Sequence, residues 1–135
     1  MTRRRFFVFA VAVVCVAAGG VWLLTLSDAD HYRLTQNSVA LDRVLSEQAV
    51  NGMPVVELEQ LLGPAGRDVD QALQRAAVRQ FMQQSPADFP DGVQEGDEWI
   101  AYPTDADIVV NLQTRGGRLV NFNPQAFAQP LAGLQ

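Results

Sequence analysis

The sequence of 135 residues is long enough for one small domain, and its 10 basic and 15 acidic residues give a formal net charge of −5. Because three of the basic residues stand at positions 3–5, the chain from Ser27 onward carries seven Arg against all 15 acidic residues, a net charge of −8. Such a surface repels a phosphate backbone, which excludes nucleic acid as a partner. The same part of the chain has no Cys, so a packed core and not disulfides must stabilise it.

The first element that the sequence predicts is a membrane-spanning helix. The 21 residues from 6 to 26 contain no charged side chain. At the helical rise they span roughly 31 Å, which matches the hydrocarbon core of a bilayer. A helix of a soluble domain would show a polar stripe, and this one has none. The side chains that we expect to contact lipid include Phe6, Phe7, Val14, Val21, Trp22 and Leu24.

The charges on either side of this segment predict its orientation. Arg3, Arg4 and Arg5 precede it, while Asp28 and Asp30 follow it. Positive charge stays on the cytoplasmic side of a membrane. We therefore expect a single-pass protein of the bacterial inner membrane, in which residues 1–27 form the Arg cluster and signal anchor and the rest lies outside the cytoplasm.

A cleaved signal peptide is the alternative to an anchor. The small residues Ala17, Ala18, Gly19 and Gly20 would suit a cleavage site. The apolar run continues beyond them to residue 26, however, and a mature chain that began there would expose a sticky end. This favours the uncleaved anchor. A lipid on Cys15 is not favoured, because Val14 stands where lipoprotein processing needs a small residue.

After a polar stretch at 28–36, which we expect to be a linker, apolar residues recur at three- and four-residue steps. The first helix is predicted to begin at a cap on Asn37 or Ser38 and to run to about Val50, where Asn51-Gly52 stops it. Its buried face would comprise Val39, Leu41, Val44, Leu45 and Ala49.

Two more helices are predicted before residue 85. Pro54 suits a first helical turn and opens the second helix, over 54–62. The third covers 69–84, with Asp68 as a candidate cap. Residues 85–96 carry two Pro, two Gly and three acidic residues, so they are predicted to form a loop. The apolar face of the third helix would comprise Val69, Leu73, Ala76, Ala77 and Phe81.

The last third of the chain alternates apolar and polar residues, which is the period of β-strands. Strands are predicted over 98–102, 107–114 and 118–123, with a tight hairpin at Gly116-Gly117. The tail, 124–135, is expected to be extended or loosely docked. One apolar face of the sheet would comprise Ile108, Val110, Leu112, Val120 and Phe122.

This order of elements predicts an α+β domain over 37–123. Two or three helices would pack on one face of a three-stranded antiparallel meander, because that sheet alone cannot bury its apolar side.

One segment of the sequence resembles a known family. Residues 52–64 read Gly-Met-Pro-Val-Val-Glu-Leu-Glu-Gln-Leu-Leu-Gly-Pro. They are similar to the helix signature of the SmpA/BamE-like small outer-membrane assembly lipoproteins: Gly-Met-Ser/Thr, two variable residues, Glu, an apolar residue, then Leu-Leu-Gly with a Pro nearby. The first strand of that family tends to carry a Trp and a Tyr close together, as Trp99 and Tyr102 stand here.

The resemblance covers about 37–123 and implies two helices followed by a three-stranded antiparallel sheet, with a non-enzymatic role in envelope assembly or binding. The sequence departs from the family at three points. Pro54 replaces the capping Ser/Thr, the stretch 67–96 is longer than usual, and no convincing lipid site is present.

Nothing in the sequence selects a catalytic, cofactor or metal site. His31 is the single histidine, and the four Ser residues after position 26 stand in no Gly-x-Ser-x-Gly context. The acidic residues before Gly92 fail the alternating spacing of a calcium loop. His31 with Asp28 and Asp30 would lie on a linker, which is not a preorganised metal site. We therefore expect no enzyme activity, cofactor or metal.

Four residues are predicted to contact a protein partner: Trp99, Tyr102, Asn121 and Asn123. An aromatic residue left outward on the sheet would be a suitable anchor for binding. The alternative is that the tail folds back over it through Phe127 and Leu131.

The sequence favours a membrane-anchored extracytoplasmic interaction or envelope-assembly module, whose partners are an envelope protein and, through the N-terminal helix, the lipid bilayer. Two alternatives stay open. The chain would be a structural subunit recognised through its membrane helix, where Gly19-Gly20 allows close helix approach. With a cleaved signal it would be a secreted soluble binder or inhibitor.

An uncleaved anchor predicts that the protein extracted from bacterial membranes retains its N-terminal segment. Intact mass spectrometry is expected to give a mass near that of the whole chain, 14.8 kDa. A mature protein whose first residue is Gly20 or Val21 would contradict the anchor and support the secreted alternative.

Overall fold

Four α-helices precede a three-stranded antiparallel sheet in the computed structural model of this protein, which describes residues 26–128. The α+β class and the meander are therefore confirmed. The helices are α1 (Asp28–Thr35), α2 (Ser38–Glu47), α3 (Val55–Leu62) and α4 (Gln71–Gln84), and the strands are β1 (Glu98–Pro103), β2 (Val109–Arg115) and β3 (Arg118–Leu119). Short 3-10 helices lie at Pro86–Asp88 and Pro124–Phe127.

The predicted membrane helix, apart from Leu26, lies outside the described residues. So do the Arg cluster (Arg3, Arg4, Arg5) and the predicted lipid contacts (Phe6, Phe7, Val14, Val21, Trp22 and Leu24). Between residues 26 and 128, no helix is long and apolar enough to cross a membrane.

The stretch expected to be a linker is instead helix α1. Ser27 caps it, since its hydroxyl accepts a hydrogen bond from the backbone N–H of Asp30 at 3.2 Å. Ala29 and Tyr32, three positions apart, face the core. The Tyr32 hydroxyl also donates to the carbonyl oxygen of Pro103 at 2.7 Å. The prediction was wrong because the buried face of this short helix consists of two side chains in an otherwise polar segment.

Helices α2 and α3 supply most of the core. Asn37 caps α2 as predicted, and its side chain accepts from the N–H of Ala40 at 2.9 Å. The helix ends at Glu47, short of Val50, and Val39 is exposed, contrary to its predicted place on the buried face. Pro54 is the N-cap of α3, one residue from the predicted start. The most deeply buried apolar residues of the two helices are Ala40, Leu41, Val44, Leu45, Leu58 and Leu62.

One face of the sheet closes this core. The β1–β2 register places Ile100 opposite Leu112 and Tyr102 opposite Val110. Residues directly opposite in an antiparallel pair share a face. Ile108, predicted to join them, is 61% exposed. It precedes β2, and Asp107 before it has a left-handed backbone (φ 57°) that turns the chain.

The third strand is shorter than predicted. It ends at Leu119, and Asn121 two residues later has φ 52°, a left-handed conformation that turns the chain away from the sheet. Phe122 then enters the core, where its ring stacks on that of Phe127 with centroids 5.6 Å apart.

Helix α4 packs across the other face of the sheet, but most of its predicted apolar face does not take part. It begins at Gln71, and its cap is Asp70 rather than Asp68. Leu73 and Phe81, predicted to be buried, are 68% and 59% exposed, and Val78 is its one buried residue. The predicted face was wrong because polar side chains of α4 bind the backbone of β1 and of the loop before it.

Replacing Leu45 by Ala is expected to lower the free energy of unfolding by about 3 kcal/mol, because it leaves a cavity in the core between α2 and the sheet. Urea unfolding of the full chain followed by circular dichroism measures this. The matched variant Val39→Ala, on the exposed side of the same helix, should change stability by less than about 0.5 kcal/mol. Equal losses would contradict the core described here.

Candidate functional site

A cleft of about 380 Å³ lies on the sheet face under α4, and we call it the β2 cleft. Its floor is formed by Trp99, Asn111 and Gln113 on β1 and β2. Side chains from α4, from the loop after it and from the segment after β3 form its walls; they include Gln74, Val78, Asp88, Phe89, Val120, Asn121, Phe122, Asn123, Ala126 and Phe127. The lining therefore combines apolar side chains with carboxamides.

A buried carboxylate holds one wall in place. Asp97 is fully buried, and its oxygens accept hydrogen bonds from the backbone of Gln94 (2.8 Å), from Gln113 Nε2 (2.8 Å) and from Arg115 Nε (2.7 Å) and Nη2 (2.9 Å). The hydrogen bonds from Arg115 lower the pKa of Asp97 to about 2. This network fixes the loop before β1 against β2.

Asn121 belongs to the same wall. Its amide nitrogen donates to the carbonyl oxygen of Gly92 at 2.8 Å and to Gln113 Oε1 at 2.9 Å, while its oxygen accepts from the N–H of Asp91 at 2.8 Å. Asn123 caps the 3-10 helix Pro124–Phe127 by accepting from the N–H of Gln125 at 3.0 Å. Asn121 is therefore engaged within the fold, whereas Asn123 is exposed at the cleft.

The expectation of an exposed aromatic on the sheet is wrong, because Trp99 and Tyr102 are only 2% and 1% exposed. Trp99 lies beneath α4, with the Arg75 guanidinium carbon 6.0 Å from the centroid of its ring. Tyr102 faces the core, where its hydroxyl donates to the carbonyl oxygen of Gly63 at 3.1 Å and burial raises its pKa. The cleft thus unites three of the four predicted contact residues, Trp99, Asn121 and Asn123, and leaves out Tyr102.

The outer edge of β1 is covered along its length. Gly66 and Ala101 exchange two backbone hydrogen bonds of 2.8 and 2.9 Å. The side-chain amide of Gln71 imitates a strand: it accepts from the N–H of Trp99 at 2.7 Å and donates to the Trp99 carbonyl at 3.0 Å. The Tyr32 hydroxyl binds the carbonyl of Pro103, as noted above. A partner strand therefore finds no free edge on β1.

The outer edge of β3 is covered as well, by the turn between α2 and α3. The N–H of Gly52 donates to the Leu119 carbonyl at 2.9 Å, and the N–H of Leu119 donates to the Met53 carbonyl at 3.0 Å. The N–H of Val55 donates to the Gly117 carbonyl at 2.9 Å. Gly52 and Pro54, which precede α3, thus lie in a turn that pairs with the edge of the sheet and also begins the helix.

One stretch of the sheet is left uncovered. The N–H and carbonyl of Ala101 are both hydrogen-bonded to Gly66, so Ala101 exchanges no hydrogen bonds with Asn111, which lies opposite it on β2. The backbone N–H and carbonyl of Asn111 therefore point away from β1. Because this direction alternates along a strand, the N–H and carbonyl of Val109, two residues earlier, also point away from β1. On that side of β2, β3 and the residue after it supply the pairing. The last hydrogen bond runs from the N–H of Val120 to the Gln113 carbonyl, at 3.0 Å.

Among residues 26–128, no hydrogen-bond partner faces the outward backbone groups of Val109 and Asn111, which we call the open β2 edge. Val109 is 53% exposed, and Asn111 is exposed and lines the β2 cleft. An extended segment lying in the cleft would therefore meet both unpaired backbone groups and apolar side chains.

Sequence reasoning missed Gln71, Asp97 and the open β2 edge. Asp97 looks like any other acidic residue of a polar loop, and no local pattern marks Gln71 as a backbone mimic. A usable signal existed only for the early end of β3, because Asn is one of the few residues that enter the left-handed region readily. In the described part of the chain, no three His, Cys, Asp or Glu side chains come together as metal ligands.

Comparison with known proteins gives no relative: no family model, no curated protein and no solved structure matches this chain.

Replacing Asp97 by Asn is expected to lower the free energy of unfolding at pH 6.5 by about 3 kcal/mol, because it deprives Arg115 of its buried counter-charge. The folded-state pKa of Asp97 lies below its ordinary value of 3.8, so its ionised form stabilises the fold above about pH 4. That contribution, on the order of 2 kcal/mol, is lost as the pH falls toward 2.

Urea unfolding at pH 6.5 and pH 3 should therefore show a smaller loss of stability on acidification in Asp97→Asn than in the wild type. The exposed Asp68, replaced by Asn, is the matched control and should behave as the wild type at both pH values. Parallel losses in the wild type and Asp97→Asn would contradict the role given to this carboxylate.

Proposed function

We propose that this chain is a non-catalytic interaction module of the bacterial cell envelope. Residues 6–26 hold it at the outer face of the inner membrane, and the β2 cleft receives an extended segment of a protein partner.

The observation that carries the proposal is the open β2 edge beside a cleft that is partly lined by apolar side chains. An added strand would pair with the outward groups of Val109 and Asn111 and place alternate side chains toward the lining. Phe81, two turns after Gln74 on α4, lies on the same side of that helix and would extend the apolar surface at the rim. The lining contains no cluster of nucleophile and base, which supports binding rather than catalysis.

The anchor and the fold together restrict where such a partner is found. Helix α1 begins at Asp28 and is part of the core, so no linker would separate a membrane helix ending at Leu26 from the folded domain. The β2 cleft would then lie no farther from the bilayer surface than about the diameter of this one small domain. A partner in or near the inner membrane fits this placement better than one at the outer membrane.

The resemblance to the SmpA/BamE-like family supports an assembly role. The segment 52–64 contains α3, and Trp99 and Tyr102 stand on the first strand, as the resemblance implies. Helices α1 and α4 are additions to the two-helix pattern. Helix α4 forms one wall of the β2 cleft, so the feature proposed to bind the partner lies partly in the stretch where this chain departs from the family.

Replacing Asn111 by Pro tests the proposal, because it removes the outward N–H without removing a hydrogen bond to β1. Cross-linked capture from native membranes, with the full chain as bait, should recover about tenfold less partner. Asn111→Ser, which keeps the N–H, is the matched control and should capture as the wild type does. Equal capture by both variants would contradict strand addition at this edge.

A second bait separates the domain from the anchor. Residues 1–27 fused to a neutral reporter should capture none of the partners that the full chain captures. The same partners on both baits would place recognition in the membrane helix and support the structural-subunit alternative.

A further inference from the structure

We infer that the partner segment received by the β2 cleft is basic: an extended stretch of protein that turns an Arg or Lys side chain into the cleft and pairs it with the carboxylate of Asp88. The inference deepens the proposed function and rests on it, because it states the chemistry of the segment that the same site receives.

Asp88 gives the cleft its charge. Within the part of the chain that the structure describes, it is the one charged residue among those that line the β2 cleft. It ends the short 3-10 helix Pro86–Asp88, where its side chain is exposed. Between residues 26 and 128, no Arg or His side chain forms an ion pair with its carboxylate. The counter-charge is therefore left for an occupant of the cleft to supply.

The cations of the domain are already engaged. The chain contains no Lys, and all seven Arg after residue 26 lie in the described part. Five of them form ion pairs with Asp or Glu of the domain, and the other two, Arg75 and Arg118, donate to backbone carbonyls. With a net charge of −8 from Ser27 onward, the domain attracts a basic partner and repels an acidic one, a second copy included.

The surroundings of this charge favour a long basic side chain. The lining of the cleft also includes the apolar residues Val78, Phe89 and Val120. Arg and Lys carry their charge at the end of an apolar stem, which packs along such residues while the head reaches a carboxylate. An acidic side chain would instead meet Asp88 with like charge.

Two carboxamides of the cleft can bind the remaining donors of such a head group. Within residues 26–128, the side chains of Gln74 and Asn111 make no hydrogen bond, whereas those of Gln113 and Asn121 are engaged in the fold. An ammonium has three N–H donors and a guanidinium five, more than one carboxylate oxygen needs. On an added strand, the residue opposite Asn111 turns its side chain to the cleft, because opposite residues share a face.

Nuclear magnetic resonance of the full chain in detergent micelles tests this chemistry with defined peptides. Short blocked peptides would alternate Val and Thr, with the central Val replaced by Lys, Gln or Glu. The Lys peptide should shift the backbone amide signals of Val109 and Asn111 and bind about threefold more tightly than the Gln peptide, as expected for one exposed ion pair. The Glu peptide should bind more weakly than both.

Variants of the full chain locate the charge that the peptides meet. Asp88→Asn should remove the preference for Lys, and Asp88→Arg should reverse it in favour of Glu. Asp68→Arg makes the same change in net charge at an exposed residue outside the cleft lining, so it is the matched control and should retain the preference. Raising the salt concentration should reduce the advantage of the Lys peptide.

The outcomes separate this inference from the proposed function. Equal affinities of the three peptides, or a preference for Lys that Asp88→Arg leaves unchanged, would overturn the basic partner and leave strand addition in place. No shift at Val109 and Asn111 with any peptide would overturn the proposed site and this inference with it. Signals at these two amides that change with protein concentration before any peptide is added would indicate a second copy as the occupant, and would also overturn the inference.

Discussion

The backbone groups along the margins of a sheet need partners, because a buried N–H or carbonyl left unpaired costs on the order of 1–3 kcal/mol. A small three-stranded sheet has few strands to supply them. In this protein, the segments that connect the helices supply most of the hydrogen-bond partners that the strands do not supply to one another. The turn before α3 pairs with β3, and Gly66, followed by the first residue of α4, pairs with β1. The positions of the helices follow from the sheet edges that their connections cover.

Two arginine side chains then hold the loop that lies between the β2 cleft and β1. Arg75 on α4 donates to the carbonyls of Glu95 and Asp97 at 2.9 and 3.0 Å. Arg115 on β2 donates to the carboxylate of Asp97 and to the carbonyl of Asp91, the latter at 3.2 Å. The loop before β1 is thus held from a helix on one side and a strand on the other. These hydrogen bonds fix the position of a polar loop that has little apolar surface of its own. They also allow α4 to lie across the sheet without a large apolar contact.

Sequence reasoning succeeded where local chemistry determines the structure. A capping Asn37, the Gly52 and Pro54 pair and the Gly116-Gly117 hairpin placed α2, α3 and the turn between β2 and β3 to within a few residues. It failed where distant groups decide. Helix α1 depends on two side chains that meet the core, and the orientation of α4 depends on hydrogen bonds to a strand about 28 residues away. The candidate site was predicted only as separate residues, because the cleft exists through an edge that β3 leaves uncovered.

Site-specific photo-cross-linking in native membranes tests most directly whether the open β2 edge receives a partner. A photoreactive amino acid would replace Asn111 in the full chain, and in a second protein it would replace Val56, which is 65% exposed on α3. An adduct with an envelope protein is expected from position 111 and none from position 56. An adduct with the same protein from position 56 alone, or equally from both positions, would contradict this expectation.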